Sequence, residues 1–173
     1  MKLFPFLKRK TSPSELGEAI FEYVLNKESI GSTTVLAFDE FRDALSVSRD
    51  RFGREYLHLR IFAADYALDS YSGKIQQIDQ SRGVFNLRLV RAADEARNLL
   101  GSVQNINDHL RRYGEAADRP HHLGPVFFVG DVFLEYLGDA GPTHDASLHI
   151  SACQLFAGFF KAVSEVINSV KLH

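Results

Sequence analysis

Helical spacing of apolar residues is the feature that most constrains this chain. Between Lys74 and Tyr113 such residues recur in steps of three, four and seven, which places them along one face of a helix. The series consists of Ile75, Ile78, Phe85, Leu89, Ala92, Ala96, Leu99, Val103, Ile106 and Leu110. Comparable spacing runs from Pro13 to the C-terminus, and no convincing period-two strand pattern interrupts it. We therefore predict an all-α fold, a helical bundle of about five to seven helices in which residues 13–173 form a single domain.

The first helix has a clear start signal. Ser12 can cap it, Pro13 suits its first position, and Glu15 completes a capping box. We expect this helix to end near Asn26. A second helix is predicted from a cap at residues 32–34 to about 47, and a third from about 51 to 71.

The stretch from Lys74 to Tyr113 is long for one helix of a small domain. Unbroken, it would measure about 60 Å at 1.5 Å per residue. Gly83 and Gly101 are its most favourable points of interruption. We expect either a break near residues 80–83 or one helix that projects beyond the core.

The final helix is predicted over about residues 144–171, with Thr143 as its cap. Apolar residues occur on most of its sides, which indicates that it is largely buried against several neighbours or against a second copy of the chain. The uncharged run 146–160 within it is too short for a membrane span, which needs about 20 residues.

Composition narrows the class of protein. The chain has 173 residues, 45% of them hydrophobic, and a formal charge of −2, so no overall charge favours nucleic acid as a partner. Its one cysteine, Cys153, cannot form an internal disulfide, so the fold needs no oxidising compartment. We expect a cytoplasmic protein.

Residues 1–12 are predicted to be a loosely ordered leader. Apolar residues precede a basic triplet there, the reverse of the order in a secretory signal. The residues that could touch an anionic membrane surface are Leu3, Phe4, Phe6, Lys8, Arg9 and Lys10. We nevertheless expect a loose or docked tail, because Pro5 prevents a regular apolar helix face.

The third predicted helix carries the best side-chain constellation. Glu55, His58, Asp65 and Asp69 lie along one face, and the first two have the Glu-x-x-His spacing found in carboxylate-bridged metal bundles. That architecture needs a second such motif, which the chain lacks. A solvated surface with an Arg51–Glu55 pair is therefore the preferred interpretation, and a metal or ligand site is the alternative.

Histidines cluster in the C-terminal third of the chain. His121 and His122 lie in a predicted loop, while Asp145 and His149 are four apart and could touch. His144 and His149 are five apart and share no helix face. We interpret the group as loop histidines beside a helix-terminal aspartate, with convergence of His122 and His149 on a ligand or metal as the alternative.

Two further groups of residues have ordinary interpretations. The arginines of the third helix and the pair Arg88 and Arg91 have acidic neighbours, which favours intrahelical and surface charge pairing over phosphate binding. Cys153 lies mid-helix among apolar residues and is interpreted as a small buried side chain.

Two hypotheses for function follow. The preferred one is a non-enzymatic helical protein that acts through an apolar interface, as a homo-oligomer, because the segments 126–137 and 148–170 hold more apolar residues than one small bundle readily covers. The alternative is a bundle that binds a small apolar ligand or a metal ion, with or without catalysis. No catalytic residue and no cofactor are assigned.

Overall fold

The computed structural model describes residues 10–26, 32–95, 100–122, 124–138 and 145–173. Within them lie seven helices and two short strands, so the predicted all-α class is confirmed. The helices are α1 (Pro13–Leu25), α2 (Ser32–Leu45), α3 (Arg49–Ser70), α4 (Ile78–Glu95), α5 (Val103–Ala117), α6 (Val126–Leu137) and α7 (Ala146–Ser169). The strands are β1 (Lys10–Thr11) and β2 (Lys171–Leu172).

Serine caps begin three of the helices. At α1, Ser12 and Glu15 form the predicted capping box, with each side chain accepting a hydrogen bond from the other residue's backbone N–H. Ser48 caps α3 and Ser102 caps α5 in the same way, each accepting from the N–H three residues later. The hydroxyls thereby satisfy donors that the first helical turn leaves unpaired.

The described part of the stretch from Lys74 to Tyr113 contains two helices, and of the two predicted points of interruption Gly101 lies between them whereas Gly83 does not. Gly83 lies inside α4, whose helix continues through it without interruption. The separation falls between α4 and α5, where Gly101 adopts the left-handed conformation (φ +77°) just before the Ser102 cap. A left-handed residue cannot continue a helix, whereas a helical glycine only weakens it.

Helix α3 is the centre of the bundle. It contacts each of the other six helices, and twelve of its 22 residues are buried. Its buried apolar side chains include Phe52, Ile61 and Phe62. Burial on this scale is expected for a helix enclosed by neighbours, because only a helix covered on several sides can bury residues around its circumference.

Helices α1 and α4 pair most closely. A Cβ added at Gly17 of α1 would lie 2.4 Å from the backbone oxygen of Ser81 and 2.9 Å from Cβ of Val84, both on α4. Only glycine permits this approach. At the surface of the same pair, Nε of Arg88 forms an ion pair with Glu18 at 2.8 Å. The predicted charge pairing of Arg88 at the surface is thus found, with partners on the neighbouring helix and not within α4.

The final helix α7 is partly buried. Eight of its 24 residues face α3 and α6 in a stripe spaced by three and four residues, while Ile150 is 55% exposed. Its cap is Asp145, which accepts from the N–H of Ser147. Thr143, the predicted cap, lies outside the described residues. Among those described, α7 is also the one helix long and apolar enough to cross a membrane by length and composition, a test that core helices also pass.

The two strands join the ends of the chain. Lys10 pairs with Lys171, and Thr11 with Leu172, in a two-residue parallel ladder. Thr11 is buried, so this part of the predicted leader is held against the bundle rather than loose. The remaining leader residues, including Phe4 and Phe6, lie outside the described part of the chain.

Candidate functional site

The predicted polar face of α3 divides into two parts. Glu55 and His58 turn into the bundle, where 13% and 4% of their side chains are exposed. Asp65 and Asp69, further along the helix, both pair with Arg82 of α4. The preferred interpretation of one solvated face is therefore wrong for the first half of the motif, because α5 covers it.

His109 of α5 completes the buried cluster. Its Nε2 lies 3.0 Å from Oε2 of Glu55, and Nδ1 of His58 lies 3.7 Å from the same oxygen. The two imidazole rings lie beside each other, with centroids 3.9 Å apart and planes tilted by 32°. Glu55, His58 and His109 each offer one ligand atom, and these atoms lie within 4.8 Å of one another.

Backbone carbonyls orient both imidazoles. Nε2 of His58 donates to the carbonyl of Leu100 at 3.1 Å, and Nδ1 of His109 donates to that of Asn105 at 2.8 Å. A carbonyl oxygen only accepts, so it places the N–H of each neutral ring on the outer nitrogen. The inner nitrogens, Nδ1 of His58 and Nε2 of His109, then present lone pairs toward Glu55.

This arrangement leaves one buried nitrogen without a hydrogen bond. Nδ1 of His58 has no partner among the described residues, since 3.7 Å to Glu55 is beyond hydrogen-bonding distance. The shorter contact joins Nε2 of His109 to Oε2 of Glu55. It is a hydrogen bond, so one of these two atoms must carry a proton. A lone pair facing a carboxylate is repulsive, so this contact needs either that proton or a cation in its place.

The pKa of the Glu55 carboxyl is consistent with a proton or a cation beside it. Burial raises the pKa of its carboxyl, but the adjacent His109 and His58 rings outweigh this effect and hold the pKa at about 2. The carboxylate is therefore ionised at neutral pH. An ionised, mostly buried carboxylate needs a cation or hydrogen-bond donors beside it.

Aromatic rings surround the cluster. The ring of Tyr136 on α6 stacks on His109 with centroids 4.1 Å apart. Tyr113, one turn after His109, lies between Tyr136 and Phe62 at 5.8 and 5.3 Å. The stacked Tyr136 ring limits how far the His109 ring can rotate.

Arg51 does not pair with Glu55 as predicted. Its guanidinium instead donates twice to the backbone oxygen of Tyr136, at 3.1 and 2.8 Å. That carbonyl belongs to the last turn of α6, where the helix dipole favours a cation. The Glu55 carboxylate therefore interacts with the two histidines and not with Arg51.

The other predicted histidines do not join this cluster. His149 on α7 pairs with Asp131 of α6 at 3.0 Å, whereas Asp145 accepts hydrogen bonds from Ser147. His122 is exposed and its ring lies beside that of His121. His144 lies outside the described residues. Convergence of His122 and His149 on one ion is thus not found in the described part of the chain.

Cys153 has the environment of a structural thiol. Its Sγ donates to the carbonyl of Val126 at 3.3 Å and lies 3.7 Å from Nε2 of His149. That same nitrogen faces Asp131, so the three side chains do not form the relay in which the acid holds the opposite ring nitrogen. Burial, with a smaller contribution from Asp131, raises the pKa of the thiol to about 11.

Arg60 departs from the predicted surface pairing of arginines. It is 2% exposed and donates to the carbonyls of Tyr23, at 2.6 Å, and Asn26, at 3.2 Å. Both carbonyls lie at the C-terminal end of α1, where a cation stabilises the helix dipole. Arg60 therefore fixes α1 against α3 and is not a phosphate-binding residue.

A separate recess lies between α4 and α5. Its volume is about 260 Å³, and its apolar lining includes Leu89, Val90 and Ile106, with Asp65 at one side. None of the three histidines proposed for a ligand site lines it. The recess is thus distinct from the buried cluster at Glu55.

His109 was not among the site residues predicted from the sequence. The signal for it is a histidine on an apolar stripe, because Ile106, His109 and Tyr113 are spaced by three and four and are all buried. Sequence alone gives no distance between this stripe and Glu55, since the two residues lie on different helices.

Comparison with models of protein families, with curated proteins and with solved structures finds no match for this chain. The chemistry of the buried cluster is therefore the basis for a functional proposal.

Proposed function

We propose that this protein binds a single divalent transition-metal ion through Glu55, His58 and His109. Two imidazoles and one carboxylate are a donor set used by catalytic zinc sites and by non-haem iron centres. The observation that carries the proposal is that two imidazole nitrogens, one of them without a hydrogen-bond partner, converge on an ionised carboxylate.

The distances from the two imidazole nitrogens to the Glu55 oxygen suit a metal. Bonds of about 2.0–2.1 Å in a tetrahedral site place neighbouring ligand atoms about 3.4 Å apart. The two separations to the Glu55 oxygen are 3.0 and 3.7 Å, on either side of that value. A cation at the centre would take the place of the proton between His109 and Glu55, and would occupy the orphaned His58 nitrogen.

The outer hydrogen bonds support the same function. Metal-binding histidines almost always donate their second N–H to a carbonyl or carboxylate, which orients the ring and fixes its tautomer. Leu100 and Asn105 supply such carbonyls. Three protein ligands would leave a fourth position for an exchangeable ligand, as in catalytic rather than structural sites.

Titration of chelator-treated protein with Co²⁺, followed by visible absorption, tests the proposal. We expect one equivalent to bind, and Zn²⁺ to displace it. Glu55→Gln and His109→Gln should each weaken binding at least about tenfold, because even the loss of an outer partner costs that much. His122→Gln, at an exposed histidine outside the cluster, is the matched control and should bind like wild type.

Two results would contradict a metal site here. Wild-type protein that binds neither Co²⁺ nor Zn²⁺ would leave the cluster as a proton-bridged structural pair. Equal affinity in wild type, Glu55→Gln and His109→Gln would place the bound ion elsewhere on the chain.

The hypothesis of an apolar interface in a homo-oligomer has weaker support. Much of the apolar surface of α6 and α7 that suggested it is buried where these helices pack together. Among the described residues, the exposed large apolar side chains are Leu87, Val90 and Ile150. Light scattering across micromolar concentrations tests this candidate, and a monomer throughout would remove it.

A further inference from the structure

The recess between α4 and α5 is formed by apolar residues of both helices. On α4 its lining includes Leu89 and Val90, and on α5 it includes Val103, Ile106 and Leu110, which are spaced by three and four along one face. Helix α4 packs much more closely against α1 than against α5. Each of the two faces therefore keeps apolar surface that the other helix does not cover.

Part of this apolar surface is exposed to water. Val90 is 43% exposed, and Leu87, three residues before it on α4, is 51% exposed. They are two of the three large apolar side chains that are exposed in the described part of the chain. Removing apolar area from water lowers the free energy, so a molecule that covers Val90 from within the recess is stabilised there.

Two side-chain amides give the recess hydrogen-bonding groups. Asn86 of α4 and Asn107 of α5 both line it, and neither amide bonds to another described residue. Each amide offers two N–H donors and an oxygen acceptor, so these groups can bind a carbonyl, an amide or a hydroxyl. An apolar lining with a few polar groups is typical of sites for small molecules.

Charge and size restrict what the recess can bind. Asp65 is the one ionisable residue among the described residues that line it, and Arg82 donates to both of its carboxylate oxygens, at 2.7 and 2.8 Å. A charged ligand would lose hydration against the apolar lining without gaining an unpaired partner. A closed apolar cavity of about 150 Å³ holds a benzene ring, so a volume of about 260 Å³ fits one ring with a short polar arm.

We infer that this recess binds a small uncharged molecule with an apolar body of about one ring and one hydrogen-bonding end, such as a carboxamide or a hydroxyl. The apolar body lies on the exposed faces of α4 and α5, and Asn86 and Asn107 bind the polar end. This inference does not depend on the proposed metal site, because Glu55, His58 and His109 do not line the recess.

Titration with phenylacetamide, followed by two-dimensional NMR of isotope-labelled protein, tests the inference. We expect a dissociation constant of about 0.1–10 mM, the range for a ligand of about ten non-hydrogen atoms, with the largest shifts at Val90 and Ile106. Asn86→Ala and Asn107→Ala should each bind about three- to tenfold more weakly, the effect of one lost hydrogen bond. Gln104→Ala, at an exposed amide of α5 outside the recess, is the matched control and should bind like wild type.

Two charged analogues test the ligand class. Phenylacetate and phenethylamine carry the same ring with a negative and a positive end, and each should bind at least about tenfold more weakly than phenylacetamide. Equal or tighter binding of either would overturn the assignment of an uncharged ligand. Equal affinity of wild type and both asparagine variants would overturn the role of the amides.

The site itself has its own test in the same titrations. Shifts that map to residues outside the recess would overturn it. The absence of shifts with all three compounds would also overturn it, as expected if a second copy or another segment of the chain covers the recess.

Discussion

Glu55 and His109 are 54 positions apart in the chain, yet Oε2 of the first lies 3.0 Å from Nε2 of the second. This contact joins the central helix α3 to α5 inside the bundle. It also means that folding, rather than a local motif, creates the donor set, because His58 is the only member of the cluster that Glu55 meets within its own helix.

The stability of the metal-free protein should depend on Glu55 in a pH-dependent way. Its pKa falls from 4.5 to about 2 on folding, so its stabilising effect is complete above about pH 5 and is lost as the pH falls toward 2. Glu55→Gln should therefore unfold at lower urea concentration than wild type near pH 7, with a difference of up to roughly 3 kcal/mol. The difference should shrink steadily below pH 4.5.

Glu115→Gln, at an exposed carboxylate on α5, is the control for this measurement. It should change the free energy of unfolding by no more than about 0.5 kcal/mol. A Glu55→Gln variant that stays equally destabilised from pH 7 to pH 3 would contradict the role given to the ionised carboxylate.

Metal binding should release protons. The cation replaces the proton shared by His109 and Glu55, so affinity should fall as the solution is acidified. Calorimetry of Zn²⁺ binding in two buffers of different ionisation enthalpy measures the number released, and we expect about one near neutral pH. Identical heats in both buffers would show that no proton leaves, contrary to this mechanism.

Tyr113→Phe should not destabilise the metal-free protein. The hydroxyl has no partner among the described residues, so its removal relieves a buried unsatisfied group, with an expected gain of up to about 1 kcal/mol. Chemical denaturation after chelator treatment measures this. A loss of more than about 1 kcal/mol would mean that the hydroxyl has a strong partner in the protein itself.

Alanine at two glycines should have opposite effects. Gly17→Ala should destabilise the protein by about 1–3 kcal/mol, because the new Cβ would lie 2.4 Å from the Ser81 carbonyl. Gly83→Ala, on an exposed helical position with open space, should stabilise it by about 0.5–1 kcal/mol. Thermal unfolding of the two variants measures these changes in stability. A stability change of the same sign in both variants would contradict the close α1–α4 contact.

Cys153 should react slowly while the protein is folded. With a pKa of about 11, only about 0.1% of the thiol is ionised near pH 8, and the thiolate is the reactive form. Iodoacetamide labelling, quantified by mass spectrometry, should be at least about tenfold faster after denaturation in guanidinium. Equal rates in the two states would show that the thiol is accessible and ionised in the fold.

Several features could be derived from the sequence because they depend on neighbouring residues. The capping box at Ser12 and Glu15 is complete within four residues, and the helical period identifies which side chains share a face. The same local reasoning brought Glu55 and His58 together. The predicted break near Gly83 was wrong, because packing of α4 against α1 stabilises a helix that the glycine alone would weaken.

Only the tertiary structure decided which groups the side chains on these helix faces contact. Arg51 and Glu55 are spaced for an ion pair, yet one bonds to the end of α6 and the other to His109 of α5. His109 offers Glu55 a largely buried contact, where electrostatic interactions are stronger than in water. The carbonyl end of α6 offers Arg51 the favourable end of a helix dipole.

The amino-acid sequence by itself determined that this chain is helical, where most helices begin, and that Glu55 and His58 share one turn. The tertiary structure alone decided that this turn is buried and that His109 faces it. The reason is physical: periodicity specifies the apolar side of each helix, but not which helix will cover it, and the covering helix supplies the third donor.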